Sequence, residues 1–201
     1  MEFDTESLSL GKRYHILTAL IQPRPIAWVS TCGTDGSVNL APFSFFTGIT
    51  ANPMTVCFAP VRDREGRKKD TLRNIEETRE FVVNIAVESL GEKMVQTSAR
   101  YPYGVSEFSQ AGLTPAACIR VKPPRVSESP ACMECVLSRI VEISEGPAGG
   151  SLVIGRVVHA HIDDALLEDR RLPHGKLRTL GRLEEDWYAR QRDSFRIPDP
   201  K

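Results

Sequence analysis

Between residues 25 and 60 the chain alternates short apolar runs with turn residues. Ile26 to Thr31 is apolar and β-branched, Gly33-Thr34-Asp35-Gly36 supplies hairpin chemistry, and the runs Val38 to Phe46 and Met54 to Phe58 flank the turn signal Ala51-Asn52-Pro53. This pattern predicts an antiparallel meander of three short strands. From Val61 to Lys69 the pattern breaks: Arg62, Arg64, Arg67, Lys68 and Lys69 follow with no apolar residue after Val61, which predicts an exposed basic loop. Asp70 then stands where an N-cap would, ahead of Leu72 and Ile75, and a short helix is expected. Phe81 to Ile85 reads as a buried strand. Ser89-Leu90-Gly91-Glu92 spells a capping box before a helix carrying Met94 and Val95. Ser106 to Ala111 predicts one further helical turn, closed by Gly112.

Pro115, Pro123, Pro124 and Pro130 break up residues 111–131, which are expected to cross the molecule as an extended segment. Two long strand candidates follow, Met133 to Ile143 and Leu152 to Ile162, joined by the Gly-rich turn 145–150. The tail from Ala165 is charged, with Trp187 and Tyr188 as its aromatic anchors before Phe195. With no internal repeat and no linker, residues 1–201 read as a single domain, its core at about 20–165 and its tail, 166–201, lying over the barrel or a partner. Strands, then short helices, then strands favour an α+β, mainly β barrel over a parallel doubly wound sheet.

Composition narrows the function. Lys plus Arg number 26 and Asp plus Glu 26, so the net charge is zero and the pI is near 6.9. That argues against nucleic acid or a membrane surface as a partner. Hydrophobic residues at 41% and charged residues at 26% are ordinary for a folded globular chain. The first residues lack the basic and apolar regions of a signal peptide, and the apolar stretch Phe81 to Val87 is interrupted by Asn84 and too short to span a bilayer. A cytoplasmic location is expected. The five cysteines, Cys32, Cys57, Cys118, Cys132 and Cys135, are an odd count that fits free thiols in a reducing compartment.

The chain lacks the residue patterns of most self-sufficient catalysts. The four histidines have no zinc-site spacing. Cys132-Met133-Glu134-Cys135 has the letters of a CxxC, but in a strand residues three apart point to opposite faces, so both cysteines read as structural. No nucleophile elbow, P-loop or dinucleotide-binding glycine turn occurs. An enzyme with this sequence takes its chemistry from a cofactor. One cluster suits a phosphate: Lys69-Asp70-Thr71 opens a helix whose free amides and dipole, with Lys69 and the hydroxyls of Ser30 and Thr71, can hold an anion. The residues alone leave open that Asp70 is merely a cap and the basic loop a solvated surface.

An ordered string of motifs goes further. Arg24-Pro25-Ile26-Ala27-Trp28-Val29-Ser30-Thr31, Asn39-Leu40-Ala41-Pro42-Phe43-Ser44-Phe45-Phe46, Lys69-Asp70-Thr71 with Asn74-Ile75, and Glu80-Phe81-Val82-Val83-Asn84 come first. Gly104-Val105-Ser106-Glu107-Phe108, Ala111-Gly112-Leu113-Thr114 and Gly155-Arg156-Val157-Val158 follow. Over about residues 20–190 this resembles the flavin reductase-like, flavoredoxin-type family. The resemblance implies an FMN-binding split β-barrel with short peripheral helices, working as a homodimer with a flavin in each of two clefts near the subunit interface. Trp28, Val29, Ser30 and Thr31 and the segment Ser44, Phe45, Phe46 and Thr47 would line the flavin and its ribityl chain. Lys69, Asp70 and Thr71 would hold the phosphate. Asn84 would either touch the flavin or serve the fold, and His161 is either a half-buried strand residue or a nicotinamide ligand.

The implied activity is reduction of FMN by hydride from NADH or NADPH. The alternatives are an electron carrier with tightly bound FMN that is reduced by a protein partner, and a flavin-free barrel used for binding. Reduced flavin would pass its electrons to an acceptor, a protein among the candidates. Two departures stand out. Where relatives carry Arg-Leu-Gly-Gly and then Tyr, this chain has Arg182-Leu183-Glu184-Glu185-Asp186-Trp187-Tyr188, so the C-terminal cover is expected to follow another path. The five cations between Arg62 and Lys69 suit either a phosphorylated nicotinamide or solubility.

Overall fold

A computed structural model describes residues 2–200. Helix α1 (Leu10–Leu20) precedes strands β1 (Arg24–Pro25), β2 (Ala27–Cys32), β3 (Val38–Phe43), β4 (Phe46–Ala51) and β5 (Met54–Phe58). Helix α2 (Asp70–Thr78) and β6 (Glu80–Ile85) come next, then α3 (Gly91–Gln96) and α4 (Glu107–Gln110). The remainder is β7 (Pro115–Ala116), β8 (Arg125–Val126), β9 (Ala131–Ser144), β10 (Gly150–Ile162), β11 (Leu180–Arg182) and β12 (Tyr188–Arg190). No helix of the described residues is long and apolar enough to cross a membrane.

Seven strands form one antiparallel sheet in the order β3-β2-β6-β9-β10-β5-β4. Its spine is the long hairpin β9–β10, whose register shifts three times, between Gly150 and Ser151, Ile154 and Gly155, and Val157 and His159. Such irregularities add local twist and bend a long hairpin. Both halves of the sheet consequently share one core: Val29, Phe81 and Val83 from β2 and β6 pack with Val56, Phe58 and Val153 from β5 and β10, and Leu72 and Ile75 of α2 join them. The Phe58 ring lies 5.1 Å from Phe43 and 5.5 Å from Phe81. Gly155 is obligatory here, because a Cβ at that position would collide with the fully buried Phe81 ring. A second core, containing Trp28, Leu40, Met94, Phe108 and Leu180, lies under α3, α4 and the tail.

Residues 111–131 are not one extended crossing, since β7 and β8 pair antiparallel with each other and fold the segment back on itself, and polar side chains strap it to the sheet. Glu134 accepts the amides of Ile119 and Arg120 at 3.0 and 2.6 Å, Glu80 that of Lys122 at 2.9 Å, and Asn84 that of Val126 at 2.8 Å. The segment's own ladder is only the two-residue pairing of β7 with β8, so carboxylate and amide side chains satisfy much of the remaining backbone. Cys132 faces the small cluster beneath this segment and Cys135 the central core, the opposite faces expected of a strand.

Several elements differ from expectation. The run Val38 to Phe46 breaks at Ser44-Phe45 into β3 and β4, which sit at opposite edges of the sheet. Asp70 is the first helical residue rather than the cap, and Lys69 holds the cap position without a capping side chain. Ser89 forms no capping box, since a 3₁₀ turn, Glu88–Leu90, runs directly into α3. Helix α1 and the hairpin β11–β12 were not foreseen. The hairpin pairs with β1 to form a three-stranded sheet, which joins the two ends of the chain.

Candidate functional site

A cleft of about 410 Å³ opens where edge strand β3 meets the entrance of α2. Asn39, Ala41, Pro42 and Phe43 form one wall; Lys69, Asp70 and Thr71 close one end. Residues 97–103 form the opposite wall, with Glu107 of α4 beneath. Its volume falls in the usual range for small-molecule sites, roughly 300–1,000 Å³.

The α2 end is built to receive an anion. A helix leaves its first amides unpartnered, and here no side chain caps them. Thr71 is 1% exposed and its Oγ1 accepts from Asn39 Nδ2 at 2.8 Å. Deeper in, Asn74 Nδ2 donates to Thr31 Oγ1 at 3.0 Å and ties the helix to β2. The far wall is anchored twice. Trp28 Nε1 donates to Thr97 Oγ1 at 2.9 Å, and the Arg73 guanidinium lies 4.4 Å from the centre of the Tyr103 ring.

The basic loop is largely neutralised from within. Arg62 reaches Glu142 at 3.3 Å, Arg67 binds Asp63 at 2.8 Å and Glu65 at 2.7 Å, and Lys68 binds Glu76 at 2.7 Å. Asp63 also accepts the amides of Glu65 and Arg67, and these bonds, led by those from Arg67, hold its carboxyl down at about 2. Lys69 and Arg64 have no carboxylate partner among the described residues, and only Lys69 lines the cleft. The loop is exposed at Arg64, Arg67, Lys68 and Lys69, and of its five cations two are unpaired among the described residues.

Of the residues expected around a flavin, Lys69, Asp70 and Thr71 come together at the cleft. Trp28, Val29, Ser30, Thr31 and Asn84 are all fully buried behind it. Ser30 is a correction to the expected phosphate contact, because β2 turns it away from the cleft and its Oγ donates to Pro124 O at 2.5 Å. Asn84 Nδ2 donates to Trp28 O at 3.0 Å and Ser30 Oγ at 3.2 Å, and its Oδ1 takes the Val126 amide. Its amide group is thus spent on the fold. Ser44 accepts from Arg24 Nε at 3.4 Å, Phe45 packs edge-on against Tyr14, Phe46 leans on the central core, and Thr47 is exposed on β4. None of these four lines the cleft. His161 is half-buried on β10 and sits 3.2 Å from Asp163.

Of the lining residues, only Lys69, Asp70 and Thr71 were expected at the site, and among the others Asn39 and Glu107 bear polar groups set against the cleft. Both carried a signal: Asn39 is an amide inside an apolar strand, and Glu107 opens a helix of a single turn.

The chain is similar, over residues 21–180, to the model of the flavin reductase like domain. It is 34% identical to nitrilotriacetate monooxygenase component B from Bacillus cereus, with 98% of each chain covered and a TM-score of 0.93. The 2-nitrobenzoate 2-nitroreductase NbaA of Pseudomonas fluorescens is 28% identical, with 100% of this chain and 96% of that one covered and a TM-score of 0.87. A split-barrel protein of Shewanella frigidimarina NCIMB 400 is 27% identical over the whole of both chains, at a TM-score of 0.83. Fold and relatives define the class, a split-barrel oxidoreductase of flavin chemistry. Within that class, this chain belongs to the flavin reductase-like family.

Proposed function

We propose that the protein binds FMN in this cleft and reduces it with NADH or NADPH, working as a homodimer. The observation that carries the reading is the uncapped α2 entrance, where Lys69 and the Thr71 hydroxyl join free amides at the end of a cleft of about 410 Å³. That donor set fits a phosphate. Bound flavin supplies a two-electron acceptor, which removes any need for a side-chain nucleophile.

The protein's own groups hold and shield it. The helix dipole and Lys69 offset the phosphate charge, Thr71 donates to it, and Asn39 fixes the direction of that donation. Pro42 and Phe43 give an apolar wall for a planar ring. A second copy is supported by the exposed face of α1, where Leu10, Tyr14 and Leu17 recur at helical spacing, and by exposed Ile49 on edge strand β4 and Met54 at the start of β5 beside it.

The experiment is to load purified protein with FMN, remove the excess, record the visible spectrum and add each nicotinamide. A yellow protein that bleaches with NADH or NADPH is the expected result. Retained colour with no bleaching removes the reductase and leaves a carrier; failure to take up FMN removes both.

A further inference from the structure

We propose that FMN binding draws one proton from solvent onto Glu107, so that this side chain is a neutral carboxylic acid in the complex and donates a hydrogen bond into the cleft. The inference rests on the FMN reading above and adds a proton to the binding equilibrium. Glu107 carboxylate, FMN and one proton on the left become the complex with Glu107 carboxylic acid on the right, and no electrons move.

Glu107 is only 8% exposed, yet it lines the cleft. Its Oε2 accepts the Leu40 amide at 2.8 Å, which fixes the carboxyl against the outer edge of β3. No lysine, arginine or histidine among the described residues lies within ion-pair distance of it. A buried carboxylate without a cation is costly to keep charged. Burial first, and the charge of Asp70 with it, already push the Glu107 acid above the usual carboxylate range, against the opposing Leu40 hydrogen bond.

The charged groups around Glu107 come from three elements. The α2 entrance brings Lys69 and Asp70, and the far wall brings Arg100 with Tyr101 and Tyr103. From the loop, Asp63 and Arg67 neutralise each other, while Lys68 is held by Glu76. Lys69 and Arg100 are therefore the cations left to the cleft, against two carboxyl groups. A phosphomonoester at Lys69 and Thr71 would add up to two negative charges. Like charges sharing one site raise the acid value of the weaker member, and Glu107, the more buried, is the group that yields. Once protonated, Oε2 still accepts from Leu40 while Oε1 carries the new donor. The device gives binding a pH dependence opposite in sign to the one the phosphate's own ionisation imposes at a lysine and helix amides.

The test is titration calorimetry of the full-length protein with FMN between about pH 5 and pH 8, in two buffers of different ionisation enthalpy, which counts protons taken up. Riboflavin serves as the ligand without phosphate. Glu107→Gln keeps an oxygen for the Leu40 amide and removes the titrating group. The wild type is expected to take up as much as one proton per FMN, its affinity falling up to about tenfold per pH unit as pH rises through the uptake window. Riboflavin is expected to take up less. Glu107→Gln is expected to bind FMN at least as tightly at neutral pH, showing only the opposite-signed release from the phosphate itself, which ionises near pH 6. Equal proton exchange in wild type and Glu107→Gln overturns the inference. Should that variant fail to fold, Asp70→Asn must move the uptake window to lower pH, and an unmoved window overturns the inference equally. Absence of FMN binding at every pH in both proteins overturns the FMN reading as well.

Discussion

Asn39 Nδ2 donates to Thr71 Oγ1 across 2.8 Å, and this bond decides what the threonine can do. A hydroxyl that accepts from an amide N–H keeps its own hydrogen for another acceptor. Both residues line the cleft, so that hydrogen is available to a ligand oxygen at the α2 entrance. Asn39→Ala should weaken FMN binding by about 1 kcal/mol, roughly fivefold, read by calorimetry. Asn39→Asp should cost more, because the new carboxylate takes the Thr71 proton and repels phosphate.

Arg24 ties the two chain ends together. It is 3% exposed, and its guanidinium donates to Thr18 O at 2.7 Å, Ile21 O at 2.9 Å and Leu183 O at 2.6 Å. Arg24→Lys keeps the charge but not the planar fork that spans these carbonyls. A loss of about 3 kcal/mol in urea unfolding is expected, since each hydrogen bond to a charged group contributes about 1.5–3 kcal/mol and the three are not additive. Unchanged stability would show that the clamp is idle.

The strands were legible because their apolar runs and turn residues are local signals. Met54–Phe58 falls where expected, and β2, β6, β9 and β10 lie within two residues of expectation. Helix α1 was not legible, since it leaves Leu10, Tyr14, Leu17 and Leu20 exposed and buries only Thr18, an apolar stripe without a core to read it against. The hairpin β11–β12 depends on long-range pairing with β1, and Glu185 takes the left-handed φ of +45° that a glycine would adopt freely. At the site, Lys69-Asp70-Thr71 could be found because a helix entrance is a local feature. Ser30 misled because a strand-end hydroxyl close in sequence to a turn gives no sign of its facing, whereas the alternation along β2 turns it to the strapped face; of the two roles open to Asn84, its bonds on β6 match the one that serves the fold.

Asn84 offers a clean separation of fold from site. Its three hydrogen bonds hold β2, β6 and the crossing segment, and truncation leaves the buried Val126 amide unpaired. Asn84→Ala should lower stability by about 2–3 kcal/mol, with FMN affinity of the folded protein changed less than twofold. A selective loss of FMN affinity would instead assign it to the cofactor.

Loop 61–69 should respond to acid. Asp63 is held down at about 2 against an ordinary value of 3.8, so its bonds contribute fully above about pH 4 and are lost as pH falls through 2. Backbone amide signals of Glu65 and Arg67 followed by NMR should shift only in that interval. Asp63→Asn should disorder the loop at neutral pH.

The phosphate assignment is tested most directly by the ratio of FMN to riboflavin affinity in the wild type and in Lys69→Ala/Thr71→Ala. Truncating two charge-assisted contacts costs about 1.5–3 kcal/mol each, so FMN should weaken roughly a hundredfold or more while riboflavin hardly changes, and the preference for FMN should collapse. A double variant that still prefers FMN over riboflavin as strongly as the wild type would contradict the account.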